Sequence, residues 1–351
     1  MTVELDFRHD GSLRLWCRRS NDTFARGAHL KDARQGGFVT SPMYRDMLQL
    51  YYSDLYTGAI SEEARFPKSR YRKVREELDR RGLTGTDIAV EEARQARLDE
   101  VHLVHEPEYV RRFMENELDD KMVRKIGFRP WTEQFVDRTF SIAGGTLQAF
   151  EAVMGGAQFA GNLAGGTHHA YADRGEGFCV FNDLAICAVR ALEEFGYERV
   201  AIVDCDVHQG NGTAVIFADE PRVLTYSIHC AGNYPFDKEE SDVDVAVPVG
   251  SGDEAYLELL DRSLSRALYG FRPQLVLYQA GVDALEEDRW GRLALTRAGL
   301  RRRNGLVFDL AEAWACPVLI TMGGGYSRPI EASVAAHADV FEEASRRLKS
   351  R

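Results

Sequence analysis

Six short runs rich in Val, Ile and Leu punctuate the chain from about residue 47 onward, at 48–52, 157–164, 199–205, 222–229, 273–280 and 317–322. Most lack the strict in–out alternation of a half-exposed strand, which is the pattern of parallel strands covered on both faces. Amphipathic stretches near 68–81, 107–118, 132–154, 182–196, 253–269, 296–314 and 328–348 lie between them. Pro107 after Glu106, and Asn182-Asp183 before Leu184, supply helix starts. This alternation predicts an α/β fold, a mainly parallel sheet in a three-layer αβα sandwich. Ligands in such sheets gather beyond the carboxyl ends of the strands.

A chain of 351 residues can bury a full core. No apolar run reaches the roughly 18 residues of a membrane span, and the N-terminus lacks a short apolar secretory core. The six cysteines (17, 179, 187, 205, 230 and 316) contain no CxxC pair, which suits a reduced compartment. A cytoplasmic protein without membrane association is therefore expected. The net charge of −11 argues against direct nucleic-acid binding.

Residues 1–46 read differently, with eight Arg/Lys, four Gly and no helical stripe. Glu4-Leu-Asp-Phe-Arg-His and Ser12-Leu-Arg-Leu-Trp-Cys alternate around the turn dipeptide Asp10-Gly11. A lone hairpin is marginal in water, so this N-terminal extension is expected either as a docked arm or as a loosely ordered segment. A single catalytic domain is expected over 47–351.

The unusual polar residues fall at strand ends. Asp204-Cys-Asp-Val-His208 follows the apolar run Arg199-Val-Ala-Ile-Val. Side chains two apart on an extended segment point the same way, so Asp204, Asp206 and His208 can converge. Two carboxylates and an imidazole aimed together are costly without a cation, and oxygen and nitrogen donors suit a divalent metal such as zinc. Asp283, after Leu275-Val-Leu-Tyr-Gln-Ala-Gly-Val, offers the third ligand beside Asp206 and His208. An aspartate there could also simply cap a turn. Three protein ligands leave coordination open for water and substrate.

His168-His169 follow the apolar stretch 157–164 and the turn Gly165-Gly-Thr. Such a pair can be mere surface, but at a strand end one imidazole can move a proton while the second serves as electrostatic partner. The run Met322-Gly-Gly-Gly-Tyr326 allows close backbone approach and would aim the Tyr326 hydroxyl at an oxyanion. No Gly-Lys-Ser/Thr follows, so a Walker-type phosphate loop is excluded.

These blocks, with Gly175-Glu-Gly-Phe-Cys-Val-Phe-Asn-Asp183, Asp204-Cys-Asp-Val-His-Gln-Gly-Asn-Gly-Thr213 and Ala280-Gly-Val-Asp283, resemble the histone deacetylase superfamily. Acetylpolyamine amidohydrolases and acetoin-utilisation proteins are relatives within it. Asp173-Arg-Gly-Glu-Gly-Phe-Cys, Ile126-Gly-Phe and Ala284-Leu-Glu-Glu-Asp-Arg-Trp-Gly look most like the class IV branch and its bacterial relatives. The resemblance implies an arginase-like sandwich with an eight-stranded, mostly parallel sheet. It implies zinc on Asp206, His208 and Asp283, His169 as general base and acid, His168 as electrostatic partner and Tyr326 as transition-state donor. Asp204 would orient His168 and, with Ser227 and Ile228, help hold a structural potassium ion. Gly177, Phe178 and Tyr234 would line a narrow tunnel for an acyl-lysine-like chain.

Two positions depart from the family pattern. Asn211 stands where an aspartate often backs the second histidine, so a lower His169 pKa is expected. Tyr234 replaces a frequent phenylalanine on the tunnel wall. The implied activity is zinc-dependent removal of an acetyl or longer acyl group from an amine such as acyl-lysine. Acetylpolyamine or another small amide is the alternative substrate, and a catalytically silent acyl-lysine-binding scaffold is the alternative of another class. An arginase-like pair of manganese ions lacks a ligand, since residue 285 is leucine. His9, His29, His102, His105 and His337 are expected at the surface or as helix caps, and His229 as structural. The acidic stretch Asp237–Asp244 reads as a solvated loop that could draw cationic substrates. Acyl length, the identity of the amine and the oligomeric state are open from sequence.

Overall fold

The computed structural model describes residues 2–7, 13–18, 47–60, 66–129 and 131–350. Among the described residues ten strands form one sheet: β1 Thr2–Phe7, β2 Leu13–Arg18, β3 Leu48–Tyr52, β4 Ile88–Glu92, β5 Phe159–Asn162, β6 Val200–Asp204, β7 Val223–Cys230, β8 Val243–Val247, β9 Leu275–Gln279 and β10 Val318–Thr321. Their spatial order is β2-β1-β8-β7-β6-β9-β10-β5-β3-β4. The eight strands from β3 to β10 pair only in parallel, as expected of the family's eight-stranded sheet. The N-terminal strands pair antiparallel with each other, and β1 joins β8 through Val3↔Val243 and Glu4↔Asp244. The intervening turn lies outside the described residues.

The strands β3, β5, β6, β7, β9 and β10 are buried along their whole length. That explains why these six were visible as continuous apolar runs. The other two parallel strands were not anticipated. In β4, an edge strand, burial fades into Glu91 and Glu92. In β8 buried valines alternate with the half-buried Asp244 and the exposed Ala246, so no continuous apolar run marks it.

Helices flank the sheet: α1 Arg70–Arg80, α2 Leu98–Val101, α3 Pro107–Met114, α4 Asp120–Ile126, α5 Glu133–Met154, α6 Asp183–Glu193, α7 Asn211–Ile216, α8 Asp253–Phe271, α9 Arg297–Ala313 and α10 Glu331–Lys349. The stretch expected as one helix over 107–118 ends at Met114, and α4 restarts after Asp119, whose side chain accepts from the N–H groups of Lys121 and Met122. Asn182 caps α6 through the Ala185 N–H.

Chain direction across the sheet reverses at β6. From β6 the chain steps to β7 and β8 on one side, while β9 and β10 lie on the other. Loops leaving the carboxyl ends of β6, β9 and β10 therefore meet over one crevice, the position where open α/β sheets bind ligands.

Candidate metal centre and catalytic pocket

Asp204 ends β6, and its carboxylate works in two directions. Oδ1 accepts the Asp206 N–H at 3.0 Å, folding the following turn, while Oδ2 lies 2.6 Å from His168 Nδ1. It stands apart from the group that could hold a metal. Among the described residues that group is Asp206, His208 and Asp283, whose ligand atoms all lie within 4.8 Å of one another. Sequence spacing alone let Asp204 converge with Asp206 and His208; the turn after β6 separates it from them.

The donor atoms of this trio are already oriented. Asp206 Oδ2 accepts the Gly324 N–H at 2.7 Å, and Asp283 Oδ1 accepts the Val207 N–H at 2.9 Å. The opposite oxygens both face His208 Nδ1, at 3.0 Å from Asp206 Oδ1 and 3.1 Å from Asp283 Oδ2. One imidazole proton can satisfy only one of them fully. Burial opposes charge on His208, yet the two carboxylates push its pKa up to about 10. Burial, aided by the Asp206 charge, raises Asp283 to about 7. Two buried acids around one imidazole nitrogen form an oxygen- and nitrogen-rich socket, and that donor set fits a divalent ion such as zinc.

His168 and His169 pack together with ring centroids 4.0 Å apart and planes tilted by 45°. The turn before them is tied down by Asp183, at the start of α6. Its buried carboxylate accepts the N–H groups of Gly166 at 3.0 Å and Thr167 at 2.9 Å, and the Thr146 hydroxyl at 2.6 Å. Behind His169, Nδ1 lies 2.6 Å from Asn211 Oδ1, and Asn211 Nδ2 donates to the Tyr171 hydroxyl at 2.9 Å. In front, Gly177 sits at φ +55°, where a Cβ would come within 2.5 Å of His169 Cδ2. Only glycine lets the wall close on that ring. Burial disfavours charge on both imidazoles. Asp204 reverses this for His168 and raises it, whereas burial and the neighbouring imidazoles hold His169 well below the usual range.

Tyr326 reaches the pocket from the glycine loop after β10. Its N–H donates to Asp288 Oδ2 at 2.6 Å, and its ring packs 4.4 Å from that of Trp290. Burial raises the phenol well above its ordinary pKa, against the opposing Arg70 charge, so it stays protonated. Phe178 stacks on Trp290 at 5.6 Å, and Tyr234 meets His169 edge-on at 5.1 Å. All of these line one cavity of about 770 Å³ that reaches inward to Arg138 and Ile142.

Several residues at the site were not singled out from sequence. Arg70 of α1 donates to the carbonyls of Gly323 at 2.7 Å and Gly325 at 3.0 Å, bracing the glycine loop. Glu176 accepts the Tyr234 hydroxyl and pairs with Lys125 at 3.1 Å on the cavity wall. Trp290 and Glu176 could have been suspected, since both lie in blocks resembling class IV proteins; Arg70 carries no such signal.

Other expectations need correction. His105 and His337 are buried, not superficial. His105 Nε2 accepts the Asn182 N–H at 2.8 Å, which helps seat the start of α6. His102 is the C-cap of α2, and the buried His229 bonds Ser227 Oγ at 2.9 Å; His9 and His29 lie outside the described residues. The acidic stretch is largely consumed by structure: Glu239 meets the Tyr171 hydroxyl, Asp242 holds Thr225, and Asp244 belongs to β8 and accepts from Gln209. Asp237 and Glu240 remain exposed. Ser227 stands opposite Asp204 in register, with Ile228 next in β7.

Residues 64–341 match the histone deacetylase domain. An uncharacterized protein of Picosynechococcus sp. is 42% identical over 293 residues, covering 82% of this chain and 95% of that protein. The histone deacetylase-like amidohydrolase of Pseudomonas aeruginosa is 30% identical over 321 residues, covering 86% and 78% respectively. The solved HDA15 HD domain has the same fold, with a TM-score of 0.70 at 24% identity over 84% of this chain and 90% of that one. With the domain matched across most of its length and the motifs gathered at one crevice, the chain belongs to the histone deacetylase family.

Proposed function

We propose that this protein hydrolyses the amide bond of an acylated amine such as acyl-lysine, with zinc held by Asp206, His208 and Asp283. The observation that carries the reading is that Asp206, His208, His169 and Tyr326 line one cavity, with Asp283 buried directly behind and grouped with the first two. Zinc, when bound, supplies a Lewis acid that polarises the acyl carbonyl and acidifies water. His169, neutral through burial, takes a proton at Nε2 and returns it to the departing amine. Its neighbour is His168, paired with Asp204, whose charge favours the imidazolium against burial. The Tyr326 phenol donates to the oxyanion that forms as the carbonyl is attacked. Gly177, Phe178 and Tyr234 flank the substrate chain, and the inward extent of the cavity leaves room for an acetyl or longer acyl group.

The zinc-loaded protein is expected to hydrolyse fluorogenic acyl-lysine amides, and His169→Ala to abolish this. A fully metallated wild type that binds acyl-lysine without turnover would instead identify a silent scaffold. Comparing acetyl-lysine peptides, fatty-acyl-lysine peptides and acetylated polyamines assigns the substrate class. Metal analysis should give one zinc per chain. The buried Leu285 offers no ligand for a manganese pair.

The family resemblance adds a potassium ion near Asp204, Ser227 and Ile228. Because Asp204 is already paired with His168, that ion would be structural, and replacing K⁺ by a bulky organic cation should lower the melting temperature without changing zinc content. A cytoplasmic setting is supported by five free, buried cysteines among the described residues. The domain organisation we propose is one catalytic domain over 47–351 behind an N-terminal extension.

A further inference from the structure

Asn211 can back His169 in either of two orientations, because the oxygen and nitrogen ends of an amide have nearly the same shape. Only one of them yields a working base. With Oδ1 towards His169, the imidazole must carry its proton on Nδ1, leaving the Nε2 lone pair to face the cavity. With Nδ2 towards it, the proton moves to Nε2 and the base is blocked.

Hydrogen-bond polarity decides between them. A phenol has a single O–H to donate, and an ionised carboxylate can only accept. The Tyr171 hydroxyl lies 3.2 Å from Glu239 Oε1 and donates there. Its lone pair is thereby left to accept from Asn211 Nδ2, at 2.9 Å. That fixes Oδ1 on the His169 side, 2.6 Å from Nδ1. The chain of donors runs one way, from imidazole to amide to phenol to carboxylate.

Glu239 is built into place for this. Gln209, buried beside the ligand His208, accepts the Glu239 N–H at 2.9 Å and donates to the Glu239 carbonyl at 2.7 Å. Tyr171 is buried, and the Arg174 guanidinium covers its ring at 3.5 Å. We propose that Glu239 and Tyr171 are positioning residues that act through Asn211 to fix the tautomer of His169. The proposal rests on the reading of His169 as the general base. It gives the acidic stretch a role other than attracting substrate, and it replaces the neighbouring aspartate of other family members with a carboxylate two hydrogen bonds further away.

The test uses zinc-loaded full-length protein with ¹⁵N-labelled histidine. Long-range ¹H–¹⁵N spectra should show a protonated Nδ1 and a bare Nε2 for His169 in the wild type. Tyr171→Phe and Glu239→Leu should move the proton to Nε2 or give a mixture, while Glu239→Gln, which keeps an acceptor oxygen, should largely restore the wild-type pattern. In parallel, Tyr171→Phe should lower kcat by about 10- to 100-fold with KM little changed. In an Asn211→Asp background, whose carboxylate accepts from Nδ1–H in any orientation, the same substitution should cost far less, a non-additivity characteristic of linked residues. An unchanged Nδ1–H tautomer in Tyr171→Phe, or equal losses in both backgrounds, overturns the proposal. The tautomer switch occurring in a protein without amide hydrolase activity would instead sink the hydrolase reading and leave the relay standing.

Discussion

Tyr326 must keep its proton to donate it, and its surroundings see to that: burial disfavours the phenolate, and the nearby charges of Asp206 and Asp283 add to the effect. Since the ring is held by Trp290 and Phe66, loss of the hydroxyl should leave the pocket in shape. Tyr326→Phe is therefore expected to lower kcat by about 100-fold or more, with zinc content per chain unchanged on metal analysis. Zinc lost from a folded variant would contradict the role. At this scale the trio that could hold a metal, the histidine pair, Asn211 and Tyr326 were legible as candidates because rare residue types stood at strand ends in compact motifs. Tyr171, Glu239 and Arg70 were not. Each is a common residue type, and its partner lies 40 or more positions away in the chain for Tyr171 with Asn211, and 253 for Arg70 with Gly323.

The loop after β10 shows how closely an element can be matched to the site it carries. A Cβ on Gly324 would stand 1.9 Å from Asp283 Oδ2, so any side chain there must displace either the loop or the ligand. Gly324→Ala is expected to weaken zinc binding by at least about tenfold, as seen when groups that orient a ligand are disturbed. Competition with a chromogenic chelator would measure it, and unaltered affinity would show that the loop can move aside. Among the elements, the six fully buried strands and the long helices were readable from pattern. The strands β4 and β8 escaped because glutamates at an edge, and Asp244 in a short strand that closely follows other acidic residues, mimic loop sequence. The short helices α2, α4 and α7 hold too few turns to show a hydrophobic stripe.

Across the whole molecule, proton uptake links separate regions to one stability. His105, His229 and His337 are all buried and all held below the ordinary imidazole range by burial. His105 is lowered to about 4 from 6.5. A depressed imidazole is protonated in the unfolded chain before the folded one, so stability should fall as pH drops below about 6.5; the His105 part of that loss is complete near pH 4, while His229, lowered to about 3, carries the fall further. For His105 alone the loss amounts to roughly 3 kcal/mol. Urea unfolding at pH 7 and pH 5 would reveal it, and His105→Gln, which retains an acceptor for the Asn182 N–H, should flatten this limb. An identical pH dependence in the two proteins would rule out His105 as the source. A metal held by the Asp206, His208 and Asp283 trio would act on the same global scale. Removing zinc with a chelator should lower the unfolding midpoint, since a ligand at 100 times its Kd stabilises by about 2.7 kcal/mol, and Asp206→Ala should abolish the difference between treated and untreated protein. The parallel sheet was foreseeable from alternation over the length of the chain, whereas the inward reach of the cavity depends on how distant helices pack and left no mark in local sequence.

One carboxylate, that of Asp183 on the first residue of α6, ties the turn bearing His168 and His169 to that helix and to Thr146 of α5. Damage to that anchorage cannot be confined to chemistry, because Asp183→Ala would strip the Gly166 and Thr167 N–H groups of their acceptor in the interior while Asn182 still caps the helix. Cells carrying Asp183→Ala should accordingly contain less of the protein rather than a normal amount of a sluggish one, the lesion surfacing as clearance by proteases.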